Sequence, residues 1–260
     1  MKKLNVIHTD LLDYYKEKQP ITILKHFNKL KSKSDGSADL NFYNTISAVY
    51  SSRIEGSKLL VSDYLKIHNS GMNTTNKDYK QVNDLIKAYE FAQSEKLNLK
   101  NVLQSHILST KTLIDKERYR GQLRDKPVGV YNESGERVYV GCPVETLDKE
   151  MNFLFEDIKD LLDKELTYNE VFYFASMIHL CFVKIHPFAD GNGRTARLLE
   201  KWFIAECLGK TAWKIQNEKL YQERIKSYYN ALDIGKTYDT VNYNASYPFL
   251  KMLPMALKVK

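Results

Sequence analysis

KIHPFADGNGRTARLLEKW, Lys184 to Trp202, sets a histidine, an aspartate, an asparagine between two glycines, and two arginines between strongly apolar segments. The stretch before it, VFYFASMIHLCFVKI (Val171–Ile185), is apolar nearly all round, the mark of a central buried helix. After it, Leu198, Leu199, Trp202, Phe203 and Ile204 continue on a further helix. Two core helices joined by a polar elbow argue for an all-α fold, and the elbow is where chemistry is expected.

Pro187 lacks a backbone donor and pushes the preceding residue out of helical geometry, so the buried helix must end at His186. His186 then projects from a rigid element, placed to take a proton from an attacking hydroxyl. Gly191, Asn192 and Gly193 permit a tight turn and open the next helix, whose unpaired N–H groups attract anions. Arg194 and Arg197, three apart, lie on neighbouring positions of its first turns. Two cations beside an amide nest describe a polyphosphate site. Asp190, at its mouth, offers oxygen to a magnesium ion. The set reads as transfer of a phosphorus-containing group from a nucleotide by positioning, charge neutralisation and one base. No G-x-x-x-x-G-K-[ST] run suggests a P-loop enzyme, and no H-R-D…D-F-G set a protein kinase. Singly, each element is commonplace: a helix-end histidine is usually structural, GNG often only a turn. Together, the eight fixed letters of HPFxxGNGRxxR arise by chance about once in a hundred million such chains.

The rest of the chain bounds this reading. Its 260 residues, 43% hydrophobic and 12% aromatic, are enough for a real core. The net charge of +7 is scattered among 32 acidic residues without a dense basic run, which favours a solvated surface or a phosphorylated ligand. Cys142, Cys181 and Cys207 form no CxxC pair, which fits reduced thiols in a cytoplasm. The N-terminal MKKLNVIHTDLLDYYKEKQ lacks the apolar region of a signal peptide, and no apolar stretch is long enough for a bilayer, so no membrane partner is expected.

Helical stripes also appear at Val82, Leu85, Ile86, Tyr89 and Ala92; at Leu103, Ile107, Thr110 and Ile114; and at Leu147, Met151, Leu154, Phe155, Ile158 and Leu162. PVGVYNESGERVYVG (127–141) breaks the pattern with two β-favouring arms around Asn132-Glu133-Ser134-Gly135, a hairpin signal. One hairpin in a helical domain reads as an exposed flap, with Val128, Gly129 and Val130 on its first arm. KSKSDGSADL (31–40) separates an N-terminal helical piece, and Asp39 is placed to cap a helix running through Tyr43, Ile46 and Tyr50. NSGMNTTN (69–76) reads as a second loop.

HPFADGNGRTAR (186–197) resembles the signature of the Fic family, HPFx[DE]GNGRxxR, and no fixed position departs. The resemblance covers about Leu40 to the C-terminus and implies an all-α Fic-type bundle with a small β-hairpin flap beside the site. It implies an N-terminal helical region (1–80) with an inhibitory helix at about 40–56, a core (81–210) with the flap at 127–141 and the motif at 186–197, and C-terminal helices (211–260) completing the bundle. Most such enzymes move AMP from ATP, with Mg2+, onto a Ser, Thr or Tyr hydroxyl of a protein, and self-modification is a further possibility. The resemblance makes His186 the general base and Asp190 the metal ligand. Gly191, Asn192 and Gly193 hold the phosphates, and Arg194 and Arg197 the distal ones. Tyr228 and Tyr229 resemble nucleotide-contacting positions, although core aromatics on a helix would look the same. SSRIEG (51–56) matches the inhibitory pattern [ST]xxxE[GN], through Ser51, Glu55 and Gly56.

The expected function is therefore a cytoplasmic protein adenylyltransferase, autoinhibited in cis by Glu55. Within the family, the alternatives are transfer of another group (UMP, phosphate or phosphocholine) or removal of AMP, with Glu55 orienting a water. A different class, a non-enzymatic nucleic-acid-binding regulator, rests on the pI of 9.0 alone. The residues after Arg197 are needed to finish the bundle, which argues against a separate DNA-binding domain among them.

Overall fold

The computed structural model describes residues 3–19, 21–32, 37–71, 74–131 and 134–259. Its helices are α1 (Leu12–Glu17), α2 (Ile23–Lys31), α3 (Ser37–Ile54), α4 (Val61–Ser70), α5 (Lys77–Ser94), α6 (Leu99–Ser109), α7 (Val144–Leu162), α8 (Tyr168–Ile185), α9 (Asn192–Leu208), α10 (Asn217–Glu223), α11 (Ile225–Leu232), α12 (Tyr247–Leu250) and α13 (Met252–Met255). One antiparallel hairpin, β1 (Gly129–Tyr131) and β2 (Arg137–Val140), is inserted between α6 and α7. The architecture is all-α with a small flap.

The centre is α8 packed on α9. Thr167 opens α8 with a capping box, its hydroxyl and the Glu170 carboxylate satisfying each other's backbone amides. From Val171 to Phe182 every residue of α8 is buried, as a segment apolar nearly all round requires, with Ser176 and His179 its only polar members. α9 is buried nearly all round as well, but with polar residues: Asn192, Arg194, Arg197, Glu200 and Lys201 lie among Leu198, Leu199, Trp202 and Phe203. Buried ions persist when paired. Lys201 Nζ donates to Glu218 Oε2 and Ser47 Oγ, both at 2.7 Å, while Glu200 accepts from Asn217 Nδ2 (2.8 Å) and Tyr221 Oη (3.0 Å). These pairs fasten α9 to α3 and α10. A continuous hydrophobic core extends from Leu4 to Leu257, and at its N-terminal edge the buried Asp157 carboxylate accepts the amides of Asn5, Val6 and Ile7.

The structure departs from the local sequence pattern in three places. The helix through Tyr43, Ile46 and Tyr50 begins at Ser37, so Asp39 lies in its first turn and not at its cap; the Asp39 side chain is outside the described residues, as are 33–36 of the breaker segment, 72–73 of the second loop and 132–133 of the hairpin turn. The stripe Leu103–Ile107–Thr110–Ile114 is not the core face of α6. Ile107 is exposed, Thr110 and Ile114 lie beyond the helix, and the buried positions are Val102, Ser105, His106 and Ser109. That polar face is buried because it meets the elbow between α8 and α9. Finally, the flap is pinned along β2. Tyr139 is buried and donates through Oη to the Lys184 carbonyl at 2.6 Å, and Val140 N–H donates to Lys236 O at 3.0 Å. The β1 arm, ending in the strongly exposed Tyr131, is the open edge.

Candidate active site

α8 ends at Ile185, and His186 takes the left-handed conformation (φ 54, ψ 60), the one non-glycine residue with positive φ among those described. Such a residue persists only where its surroundings over-determine it. Here Arg124 does so. Its buried guanidinium donates to the carbonyls of His186 (2.8 Å), Lys126 (2.9 Å) and Cys142, and its own N–H donates to Pro187 O at 2.9 Å. Gly141 packs so closely that a Cβ there would lie 2.9 Å from the His186 Cβ.

The half-buried imidazole is oriented by its own helix. Nδ1 lies 3.2 Å from the Val183 carbonyl, which only accepts, so Nδ1 carries the proton and Nε2 a free lone pair. Burial lowers its pKa to about 4, assisted by nearby Arg124, against the Val183 bond and Glu55. The ring is neutral at physiological pH.

Beyond His186, Asn192 closes the elbow on itself: Oδ1 accepts from Phe188 N–H at 2.8 Å and Nδ2 donates to Phe188 O at 2.9 Å. Its side chain thus braces the turn that Asn192 was expected to offer to phosphate. Gly191 is the N-cap of α9 with φ 81, and its N–H donates to Asp190 Oδ1 at 2.6 Å. Asp190 is exposed at the mouth. Among the described residues no group of three or more His, Cys, Asp or Glu is arranged around a metal. A single carboxylate is nonetheless what magnesium takes beside substrate phosphates, since the ion keeps most of its waters.

The two arginines differ in state. Arg194, 3% exposed, donates Nη2 to Gln81 Oε1 of α5 at 3.0 Å, whereas its buried Nε and Nη1 have no partner among the described residues. Buried donors left open are costly and mark a site awaiting an acceptor. Arg197, 1% exposed, is engaged through all three nitrogens: Nε donates to Ser51 Oγ (2.9 Å), Nη2 to Ser51 O (3.1 Å) and Glu55 Oε1 (2.6 Å), and Nη1 to Tyr228 Oη (3.4 Å).

Ser51 and Glu55 arrive here because α3 ends here. Gly56, with φ 95, is the left-handed residue of a Schellman motif: Ser57 N–H bonds Ser52 O and Gly56 N–H bonds Arg53 O, both at 3.1 Å. Burial opposes the Glu55 charge, but Arg197, then Arg194 and His186, hold the carboxyl below its ordinary pKa. Burial likewise opposes the Arg197 charge, and Glu55 reverses that and raises it. The Glu55 carboxylate sits where a Cβ on Gly193 would collide with it, directly over the start of α9.

Tyr228 and Tyr229 part company. Tyr228 is buried, stacks on Tyr221 and lies behind Arg197, its Oη also 3.1 Å from His179 Nε2. Tyr229 is 48% exposed and donates to the carbonyl of Ile54 at 2.9 Å, tying α11 to the end of α3. Arg124, Gln81 and His106 were missed in the sequence. For Arg124 the available signal was GQLRD entering the flap; for Gln81 and His106 there was only a polar residue on a helical face.

The Fic/DOC family profile matches residues 96–204, which includes the elbow and both arginines. Over that span the chain carries a Fic-type domain. It is 29% identical over 163 residues to a protein from Nematostella vectensis named protein adenylyltransferase Fic, covering 58% of this chain and 35% of that one. It is 27% identical over 215 residues to protein adenylyltransferase fic-1 of Caenorhabditis elegans, covering 76% of this chain and 36% of the relative. The chain thus spans about a third of the length of the curated relatives it matches. Solved structures share the fold: a Fic family protein from Desulfovibrio desulfuricans superposes with TM-score 0.71 at 21% identity over 93% of this chain and 74% of that one. A Fic domain containing signaling protein from Bacteroides thetaiotaomicron gives 0.69 at 23% over 90% and 92%. Among the described residues no helix is long and apolar enough to cross a membrane.

Proposed function

We propose that this chain transfers AMP from ATP to a Ser, Thr or Tyr hydroxyl of a protein, and that Glu55 restrains it in cis. The observation that carries the reading is the pair of buried, partnerless Arg194 donors beside the opening amides of α9, with His186 Nε2 left free at the same elbow. The names of the relatives from Nematostella vectensis and Caenorhabditis elegans support the choice of AMP.

In the step, the target oxygen forms a bond to the α-phosphorus, the bond from phosphorus to the pyrophosphate oxygen breaks, and the hydroxyl proton passes to His186 Nε2. Gly191 and Gly193 offer backbone amides, and Arg194 its open N–H groups, to the phosphate oxygens. Asp190 would hold Mg2+, which supplies charge neutralisation at the phosphates. The β1 edge of the flap offers its backbone to an extended target segment by strand addition. Glu55 keeps Arg197 from a terminal phosphate, so ATP is received with its α-phosphate turned from attack.

Labelled ATP tests the reading. Label at the α-position should enter protein in the Glu55→Gly variant, and label at the γ-position should not. His186→Ala should abolish incorporation, a loss of about 100- to 10,000-fold, while ATP binding persists. Transfer of γ-label would assign phosphate transfer instead, and release of AMP from modified protein would assign the reverse reaction.

A further inference from the structure

His106 belongs to α6, far from the elbow in sequence, yet it is fully buried against it. Its ring stacks on Phe188 with centroids 3.7 Å apart and planes at 17°. Gly121 N–H donates to Nδ1 at 2.8 Å. A backbone amide has only a proton to give, so Nδ1 carries none, and the proton of the neutral ring is on Nε2. Nε2 in turn lies 2.9 Å from the backbone carbonyl of Asp190, which accepts from it. Both ring nitrogens are engaged and the tautomer is set by the protein.

The consequence lies in the peptide between Asp190 and Gly191. It is planar and trans, so its N–H points opposite to its C=O. With the carbonyl held inward on His106, the Gly191 N–H is turned outward, where it meets the Asp190 carboxylate at 2.6 Å. This amide opens the nest at the head of α9. The peptide lies flush on its support: a Cβ on Gly191 would be 2.8 Å from Thr110 Cγ2 and 3.1 Å from His106 Nε2.

We propose that His106 is the positioning residue of the phosphate nest, its Nε2–H fixing the rotation of the Asp190–Gly191 peptide and with it the aim of the Gly191 amide and the Asp190 carboxylate. The role deepens the nucleotide-transfer reading above and rests on it. It differs from a packing role, because an apolar ring of the same size would fill the space without turning the peptide.

Calorimetric titration of Mg·ATP into the full chain carrying Glu55→Gly, alone and with His106→Phe or His106→Gln, decides the matter. Phenylalanine keeps the stack on Phe188 but donates nothing; glutamine keeps an amide N–H within reach of the Asp190 carbonyl. His106→Phe should weaken Mg·ATP about ten- to a hundredfold with the circular dichroism spectrum retained, and His106→Gln should restore most of that loss. The Gly191 amide resonance should move in the phenylalanine variant and return in the glutamine one, and long-range 1H–15N spectra of the unmutated residue should show the Nε2–H tautomer. An Nδ1–H tautomer, or equal Mg·ATP affinity in a folded His106→Phe protein, overturns the proposal. Where His106→Phe does not fold, retained binding in His106→Gln supports it and lost binding overturns it. A Glu55→Gly parent that binds no Mg·ATP overturns the nucleotide reading itself, which is distinguishable from a parent that binds and a phenylalanine variant that binds equally.

Discussion

Glu55 Oε1 lies 2.6 Å from Arg197 Nη2, joining the last residue before the Gly56 turn to the second arginine of the elbow. The two ends of the pair live in different surroundings: the Arg197 side chain is 1% exposed, that of Glu55 34%. Removing Arg197 would leave Ser51, Tyr228 and Glu55 without their shared donor. Removing Glu55 leaves a guanidinium still held by Ser51 and Tyr228 and open on the side that faces Gly193.

Glu55→Gly should therefore raise self-modification and target modification. A charge-assisted hydrogen bond is worth roughly 1.5–3 kcal/mol, or about ten- to a hundredfold in occupancy of the productive phosphate position. Incorporation of α-labelled ATP measures it, and Arg197→Ala in the same protein should cancel the gain. An unchanged rate in a folded, ATP-binding Glu55→Gly protein would remove the autoinhibitory role and leave the transferase reading in place.

Gly56→Ala tests the same contact through the backbone. No atom of the described residues lies within 4 Å of a Cβ at this position, so the effect is the strain of φ 95 in a non-glycine residue, about 1 kcal/mol. The Schellman turn should loosen and Glu55 lose its fixed aim. Basal transfer should rise, by less than in Glu55→Gly, with a small fall in Tm. A rise equal to that of Glu55→Gly would mean that the turn, not the carboxylate, is the restraint.

What the sequence made legible follows from where the information is local. The elbow was readable because Pro187, Gly191 and Gly193 dictate backbone geometry by themselves, and the end of α3 because Gly56 does. The supports were not. Arg124 acts on carbonyls at Lys126, Cys142 and His186, Gln81 on Arg194, and His106 on Asp190, and these partners meet only after α5, α6 and the flap have packed. The α6 stripe misled for the same reason: Ile107 continues an apolar period, but the elbow selected the face bearing Ser105, His106 and Ser109. The polar face of α9 was likewise invisible until Glu200 and Lys201 found partners on α10.

Burial holds both His106 and His186 at a pKa of about 4, below the usual 6.5. A base with a depressed pKa stays competent as pH falls, so kcat/KM of the Glu55→Gly protein should be flat from pH 8 to about pH 5, without a shoulder near 6.5. Loss of Glu55, which raises the His186 pKa, strengthens this expectation. Stability follows the same sign. The unfolded chain takes up these protons first, so this contribution is complete above about pH 6.5 and is lost as pH falls toward 4. Urea midpoints across that window should decline. A rate that halves at pH 6.5 would show an unperturbed imidazole.

The flap offers a sharper test than its apolar arms suggested. Gly141 N–H donates to Val128 O, and the register pairs Gly129 with Val140 and Val130 with Tyr139. By antiparallel alternation the backbone of Val130 faces β2, while the amide of Gly129 faces outward. Proline at Val130 would break the hairpin itself. Proline at Gly129 removes an edge donor, and a Cβ there meets only side-chain atoms, the flexible stem of Arg137 at 3.0 Å and the ring edge of Tyr131 at 3.2 Å. Gly129→Pro should lower target modification several-fold with ATP binding unchanged. Equal loss of both would show a damaged site and not a lost docking edge.

Arg124 is the last test, and the most demanding of the fold. Its guanidinium satisfies carbonyls on three segments, among them that of His186, whose left-handed backbone has no steric preference of its own to keep it there. Arg124→Lys retains the charge but offers a single point of contact in place of a planar fork, so at least one buried carbonyl loses its donor. Each orphaned acceptor costs about 1–3 kcal/mol, part of which the ammonium group recovers. The variant should unfold at lower temperature and lose transfer at least tenfold, while Mg·ATP binding, which depends on the amides of α9 and on Arg194, changes little. A parallel loss of binding and transfer would place Arg124 in the general stability of the bundle. A full rate in Arg124→Lys would mean that Pro187 alone holds His186 in place.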